Sequence, residues 1–186
     1  RSSYSVLLNF TASNPYSILS VLVEMASHNW SPMEMLTFGG GTYTGSSQNI
    51  TWVGTSGSPI WVVGPACSTT QPITLSATPS IKREWTFTPT SAYVFIECLR
   101  FDGPAVIRYD QGTTHHMVVR HSEFVGTGLA VGNPSVIHTN GLAAGTLVTD
   151  IVVWNVHIHD WGDDSPAAGE NDAIGFKAAE YSTRHW

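Results

Sequence analysis

Three stretches of this chain carry the same order of apolar and polar side chains and align without gaps. They are Tyr93–Gly103, His116–Gly126 and Asp150–Asp160, and a fourth copy begins at His185. Their starts are offset by 23, 34 and 35 residues. A repeat in the low twenties, with extra residues in some loops, is the length of one coil that returns to pair with the coil before it. Such a coil buries the inward side chains of each strand and satisfies its backbone only through its neighbours. The columns Phe95, Val118, Val152 and Phe101, Phe124, Ile158 are expected to stack in the core. Cys98, His121 and Asn155 form a third column at a corner, where side chains can stack or bond along the axis. A second alignment sets Pro104–Tyr109 against Asp172–Lys177 as another strand of each coil. It puts Lys177 in the column of Tyr109.

Upstream, Ile18, Leu19, Leu22, Val23 and Ala26 recur at helical spacing and predict a helix over Tyr16–His28. Asn14-Pro15 or Ser17 starts it, and Asn29 to Pro32 stops it. A short strand, Met33–Phe38, then runs into the glycine-rich stretch Gly39–Gly45. This run lacks the Gly-Lys-Ser/Thr ending of a phosphate loop and no helix follows, so it reads as a tight turn. Beyond Asn49 the pattern is of short strands: Ile50–Val53, Pro59–Val63, Ile73–Leu75, Trp85–Thr88 and Tyr93–Phe101. The absence of a second helical pattern argues against a fold that alternates strand and helix.

Composition narrows the partners. Charged residues are 12% of the 186, about half the usual fraction. The net charge is −6 and there is no basic run, so nucleic acid is a poor partner. No segment is apolar enough over enough length to span a membrane. Seven tryptophans and six tyrosines supply rings that suit sugar faces as well as cores. Cys67 and Cys98 allow one bridge or two buried thiols, but not a disulfide framework. Two glycosylation patterns, at Asn9 and Asn49, matter only in a eukaryotic secretory host. Seven of the eight histidines follow residue 114, which puts the polar chemistry in the second half.

Four features resemble the right-handed parallel β-helix superfamily of pectate lyases, closest in kind to the alginate lyase and chondroitinase B type. They are the Ile18–Ala26 helix leading to Gly41-Thr42-Tyr43, the strand within Gly57–Gly64, the stretch Tyr93–Gly103, and the repeat itself. The resemblance covers nearly the whole chain, and its motifs specify fold more than activity. It implies an all-β, single-stranded right-handed parallel β-helix with a short N-terminal capping helix, cut short at the C-terminus where the fourth copy stops at Trp186. Residues 1–186 form one domain on this reading. Residues 1–45 are the cap helix and first strand, and residues 46–186 are the coils.

The resemblance also implies a secreted or cell-surface protein acting on a polysaccharide, above all a lyase that cleaves a uronate-containing polymer by β-elimination. Lys or Arg often serves as the base in that superfamily, which singles out Lys177, Arg120 and Arg108. His157, His159, Trp161 and Arg184 are the expected substrate contacts. Asp160, Asp163, Asp164, Glu170 and Asp172 place five carboxylates in a short stretch, a hard oxygen donor set that suits calcium. The spacing does not match the twelve-residue calcium loop. His157 and His159 lie two apart on a strand and so face one side. With Asp160 they could bind zinc, though the strand offers no further fixed ligand. His115 and His116, as neighbours on a strand, are expected on opposite faces. Two other functions fit the same scaffold. One is a non-catalytic adhesin, carbohydrate-binding or tail-fibre module. The other is a glycoside hydrolase using a carboxylate pair such as Glu123 and Asp160.

Overall fold

The computed structural model describes residues 5–10, 34–38, 43–44, 48–64, 71–74, 83–102, 105–110, 113–126, 135–141, 147–160, 174–178 and 182–185. The first strand is β1 (Ser5–Phe10). Five coils of three strands follow. They are β2 (Glu34–Phe38), β3 (Tyr43–Thr44), β4 (Gln48–Ile50); β5 (Ile60–Val63), β6 (Gln71–Thr74), β7 (Arg83–Phe87); and β8 (Ala92–Glu97), β9 (Leu99–Asp102), β10 (Ala105–Asp110). The last two are β11 (His115–Arg120), β12 (Glu123–Val125), β13 (Ser135–Asn140) and β14 (Val148–Trp154), β15 (His157–His159), β16 (Ile174–Ala178), after which β17 (Ser182–His185) opens another.

β1 pairs with β2, and from β2 onward each strand pairs with the third strand along the chain. Sheet A is β1-β2-β5-β8-β11-β14-β17, sheet B is β15-β12-β9-β6-β3, and sheet C is β16-β13-β10-β7-β4. Every strand-to-strand pairing in these sheets is parallel. The result is an all-β, parallel β-helix-like coil. The helix expected at Tyr16–His28 lies outside the described residues, and among the described residues there is no helix. The strand β1 has no counterpart in the sequence reading, which began the strands at Met33.

Three walls enclose one core. Val94, Ile96, Met117, Val119 and Ile151 point inward from sheet A, and Leu99, Phe101 and Phe124 from sheet B. Sheet C adds Trp85, Phe87, Ile107, Tyr109 and Ile137. The rings of Phe101 and Phe124 stack at 4.7 Å and 9°, and those of Phe87 and Tyr109 at 5.3 Å and 29°. Trp85 meets Phe101 edge-on at 5.2 Å across two walls. Such pairs add about 0.5–1.5 kcal/mol beyond the area they bury. Full burial drives the Tyr109 hydroxyl far above its ordinary pKa, so it stays neutral.

The register confirms the offsets of 23 and 34: Val118 pairs with Phe95 and Val152, and Phe124 pairs with Phe101 and Ile158. The second of these columns is in the core as expected, with Ile158 packed against its edge. The first is not. Phe95, Val118 and Val152 are half-exposed and face outward, while their neighbours Val94, Ile96, Met117, Val119 and Ile151 are buried. These strands are apolar on both faces, so the period-2 signal that selects a face is missing.

Two expected registers are off by one residue. His185 pairs with Ile151 at an offset of 34, not with Asp150 at 35. Lys177 pairs with His138, which pairs with Arg108, so Lys177 does not share the column of Tyr109. The intervening strand β13 was absent from the alignment that set Lys177 there. A slip of one residue exchanges the two faces of a strand.

In the three coils that begin at β8, β11 and β14, the corner between sheets A and B is made by a single left-handed residue. Cys98, His121 and Asn155 have φ of 57°, 50° and 49°. Their expected role as a corner column holds. Cys98 is disulfide-bonded; Cys67, the other cysteine of the chain, lies outside the described residues.

Candidate functional site

Among the described residues the core cluster is made of apolar side chains, and the titratable side chains that could carry chemistry lie chiefly on the outer faces of the three sheets. Each outer face presents columns of side chains from successive coils about 4.8 Å apart.

On sheet C, the column between the buried residues runs Asn49, Thr86, Arg108, His138, Lys177. Arg108 and His138 are half-buried beside core residues. Two of the three expected catalytic residues, Arg108 and Lys177, are thus brought into one column. His138, which sequence reasoning passed over, stands between them. Its strand carries the pattern Val136-Ile137-His138-Thr139, but no second copy aligned with it.

The third residue, Arg120, is elsewhere. It ends β11 on sheet A, where its Nε makes an ion pair with the carboxylate of Glu97, a side chain only 1% exposed. The guanidinium also lies 5.5 Å above the ring of Trp61. Arg184 is on β17 of sheet A. Trp161, Asp163, Asp164, Glu170 and Asp172 lie outside the described residues.

Sheet A carries a groove of about 270 Å³ on its outer face. Phe95, Val118, Val152 and Pro59 line its apolar side, and Tyr93, His116 and Asp150 its polar side. These last three occupy the first position of the three aligned segments and all have left-handed backbones, with φ of 53°, 54° and 58°. Tyr93 stacks on His116 at 4.5 Å and 19°. Nδ1 of His116 is 3.9 Å from Oδ2 of Asp150, which accepts a 2.9 Å hydrogen bond from the Thr149 hydroxyl.

His115 and His116 do not lie on opposite faces. Their Nδ1 atoms are 2.7 Å apart, one ring donating to the other. The left-handed residue at His116 breaks the alternation that a regular strand would impose. Burial lowers the pKa of His115, the charge on His116 adds to this, and Asp150 opposes it. Further along this face Trp154 is 65% exposed.

Sheet B gathers the expected substrate contacts His157 and His159 on one side of β15, with Ile158 turned to the core. Their rings stack at 4.4 Å and 26°. Nε2 of His159 is 2.9 Å from Oε1 of Glu123 on the preceding coil. Its Nδ1 is 2.9 Å from Oδ2 of Asp160. These hydrogen bonds, the one to Glu123 foremost, raise the pKa of His159. Arg100 Nε stands 3.9 Å from the other oxygen of Glu123. Glu123 and Asp160, the carboxylate pair considered for hydrolysis, are thereby both held to one imidazole.

A closed wall of three parallel sheets bearing polar columns on its outside defines a β-helix-like scaffold protein. Among solved structures, the chain is similar to the crystal structure of alginate lyase from Paenibacillus sp. str. FPU-7, with 13% identity and a TM-score of 0.54. The match covers 97% of this chain and 63% of that one, so this chain spans less than two thirds of the alginate lyase. At this identity the likeness is one of fold. No family model matches the chain, and no curated protein is significantly similar to it.

Proposed function

We propose that this protein is an extracellular polysaccharide lyase on a right-handed parallel β-helix, acting on a uronate-containing polymer. The observation that carries the reading is the register column Arg108–His138–Lys177 on three successive coils of sheet C. Support also comes from the alginate lyase that shares the fold. The right hand follows the near-universal rule for parallel crossovers. The disulfide at Cys98 fits an oxidising compartment, outside the cytoplasm.

β-Elimination removes the proton beside the uronate carboxylate and expels the glycosidic oxygen, leaving a carbon–carbon double bond. Two demands follow. Negative charge on the carboxylate must be neutralised, and one proton must leave carbon while another reaches the departing oxygen. Arg108 is permanently charged and meets the first. His138 and Lys177, one and two coils along, meet the second as proton acceptor and donor. Strand spacing lets all three bear on one short stretch of polymer. The carboxylates Asp163, Asp164, Glu170 and Asp172 are suited by their donor chemistry to hold calcium. A bound calcium would supply further neutralisation of the uronate.

The test is the ultraviolet absorbance of unsaturated product from alginate, pectate and glycosaminoglycans, with and without calcium. Lys177→Ala and Arg108→Ala are expected to lower the rate by about 10²–10⁴-fold each. Cleavage without unsaturation would decide for a hydrolase.

A second reading rests on sheet A. Its groove, with Phe95 and Tyr93 along it and Trp154 exposed nearby, is a surface on which sugar rings can stack. Polymer binding without cleavage, weakened by Trp154→Ala, would favour a non-catalytic binding module.

A further inference from the structure

We propose that Glu123, His157 and His159 form a site for a divalent transition-metal ion, with zinc the best match, on the outer face of sheet B. One ligand atom from each of the three lies within 4.8 Å of the other two. Donors about 2.0–2.2 Å from a tetrahedral zinc ion stand roughly 3.4 Å apart, and Glu123 and His159 already approach to 2.9 Å. A small rotation of exposed side chains therefore closes the set.

The strand geometry makes the site. Period-2 alternation turns His157 and His159 to the same side of β15. Parallel pairing sets Glu123 opposite His157, so the third ligand arrives from the previous coil, 34 residues back in sequence. Asp160 accepts from Nδ1 of His159 at 2.9 Å, which orients the ring and leaves Nε2 for the ion. A carboxylate behind a ligating histidine is the usual outer-shell partner of zinc. Arg100 Nε stands 3.9 Å from the second oxygen of Glu123, the one not in contact with His159. The 2.9 Å contact between His159 Nε2 and Glu123 Oε1 is the one that coordination of the ion replaces.

Two imidazoles and a carboxylate select a borderline cation. Calcium prefers six or more oxygens and is a poor competitor here. Three protein ligands leave a fourth position for water. Because the ligands come from β12 and β15, the ion clips two coils together. The proposal does not depend on the lyase reading: a chain that cleaves nothing would still bind the ion.

The experiment titrates chelator-stripped protein with zinc chloride against a chromophoric competitor. The expected result is one zinc per chain, bound at least 100-fold more tightly than calcium, with a higher Tm. His157→Ala and His159→Ala should each weaken binding by 10-fold or more, and Asp160→Asn by about 10-fold. All three positions face outward, and circular dichroism verifies folding. Cobalt(II) gives an independent readout: its visible bands should appear with the wild-type protein and vanish with His159→Ala. Absence of stoichiometric zinc binding, or binding unaffected by both histidine substitutions, overturns the proposal.

Discussion

The side-chain amide of Asn155 donates to Nδ1 of His121 at 2.9 Å, one coil to the next, and both residues sit in left-handed backbone. The bond runs along the axis of the coil, at right angles to the chain. It reinforces the backbone bonds that tie one corner to the next, such as His121 N–H to the Trp154 carbonyl at 3.1 Å.

Asn155→Ala should therefore cost about 2 kcal/mol. Roughly 1 kcal/mol is the hydrogen bond, and a similar amount is the penalty for a Cβ-bearing residue without Asn's tolerance of φ near 49°. Asn155→Gly loses the bond but not the conformation and should be milder. Urea midpoints that rank the two variants the other way would contradict this account.

Glu97 and Arg120 make a second test. Removing the guanidinium takes this ion-pair partner from a carboxylate that is 1% exposed. Arg120→Ala is expected to destabilise by about 3 kcal/mol, the low end for a broken buried pair because Arg120 itself is partly solvated. The double variant Arg120→Met with Glu97→Gln should recover much of that. Chemical denaturation of all three forms reads it directly.

Gly54 is pressed against backbone. A Cβ there would lie 2.8 Å from the carbonyl oxygen of Tyr93 and 3.1 Å from both the Ile60 nitrogen and the Ser58 oxygen. None of these atoms can rotate away. Gly54→Ala should lower Tm by several degrees and disturb the groove beside Tyr93, whereas Gly57→Ala, with open space around it, should leave Tm nearly unchanged.

The pH dependence follows from three histidines. Burial holds the pKa of both His115 and His185 below the ordinary value of about 6.5. For each, the unfolded chain binds more protons just below that value. Their contribution to stability is full above pH ~6.5 and is lost as pH falls through the folded-state pKa. His159 is shifted upward, so its contribution is full below pH ~6.5 and is lost as pH rises through its folded-state pKa. Tm measured from pH 8 to pH 5 should fall less in the His115→Asn, His185→Asn double variant than in wild type. In His159→Gln it should fall more.

The aligned segments at Tyr93, His116 and Asp150 carry the repeat length, the stacked Phe101–Phe124 column and the corner at Asn155. All three depend on local pattern, since identical positions in successive coils must meet identical surroundings. The sequence by itself therefore determined a coil of parallel strands and most of its register. It also marked His157 and His159 as facing one way, because alternation along a strand is a local property. Tertiary structure alone decided which face of Val94-Phe95-Ile96 is buried, since both faces are apolar and only closure of the wall chooses between them. It alone set Lys177 beside His138, because loops of unequal length separate those strands and the pairing is counted across coils. It alone delivered Glu123 to His159, across 36 residues of chain. Contacts made along the axis are fixed by how coils stack, and a linear pattern records the stacking only where the repeats are free of insertions.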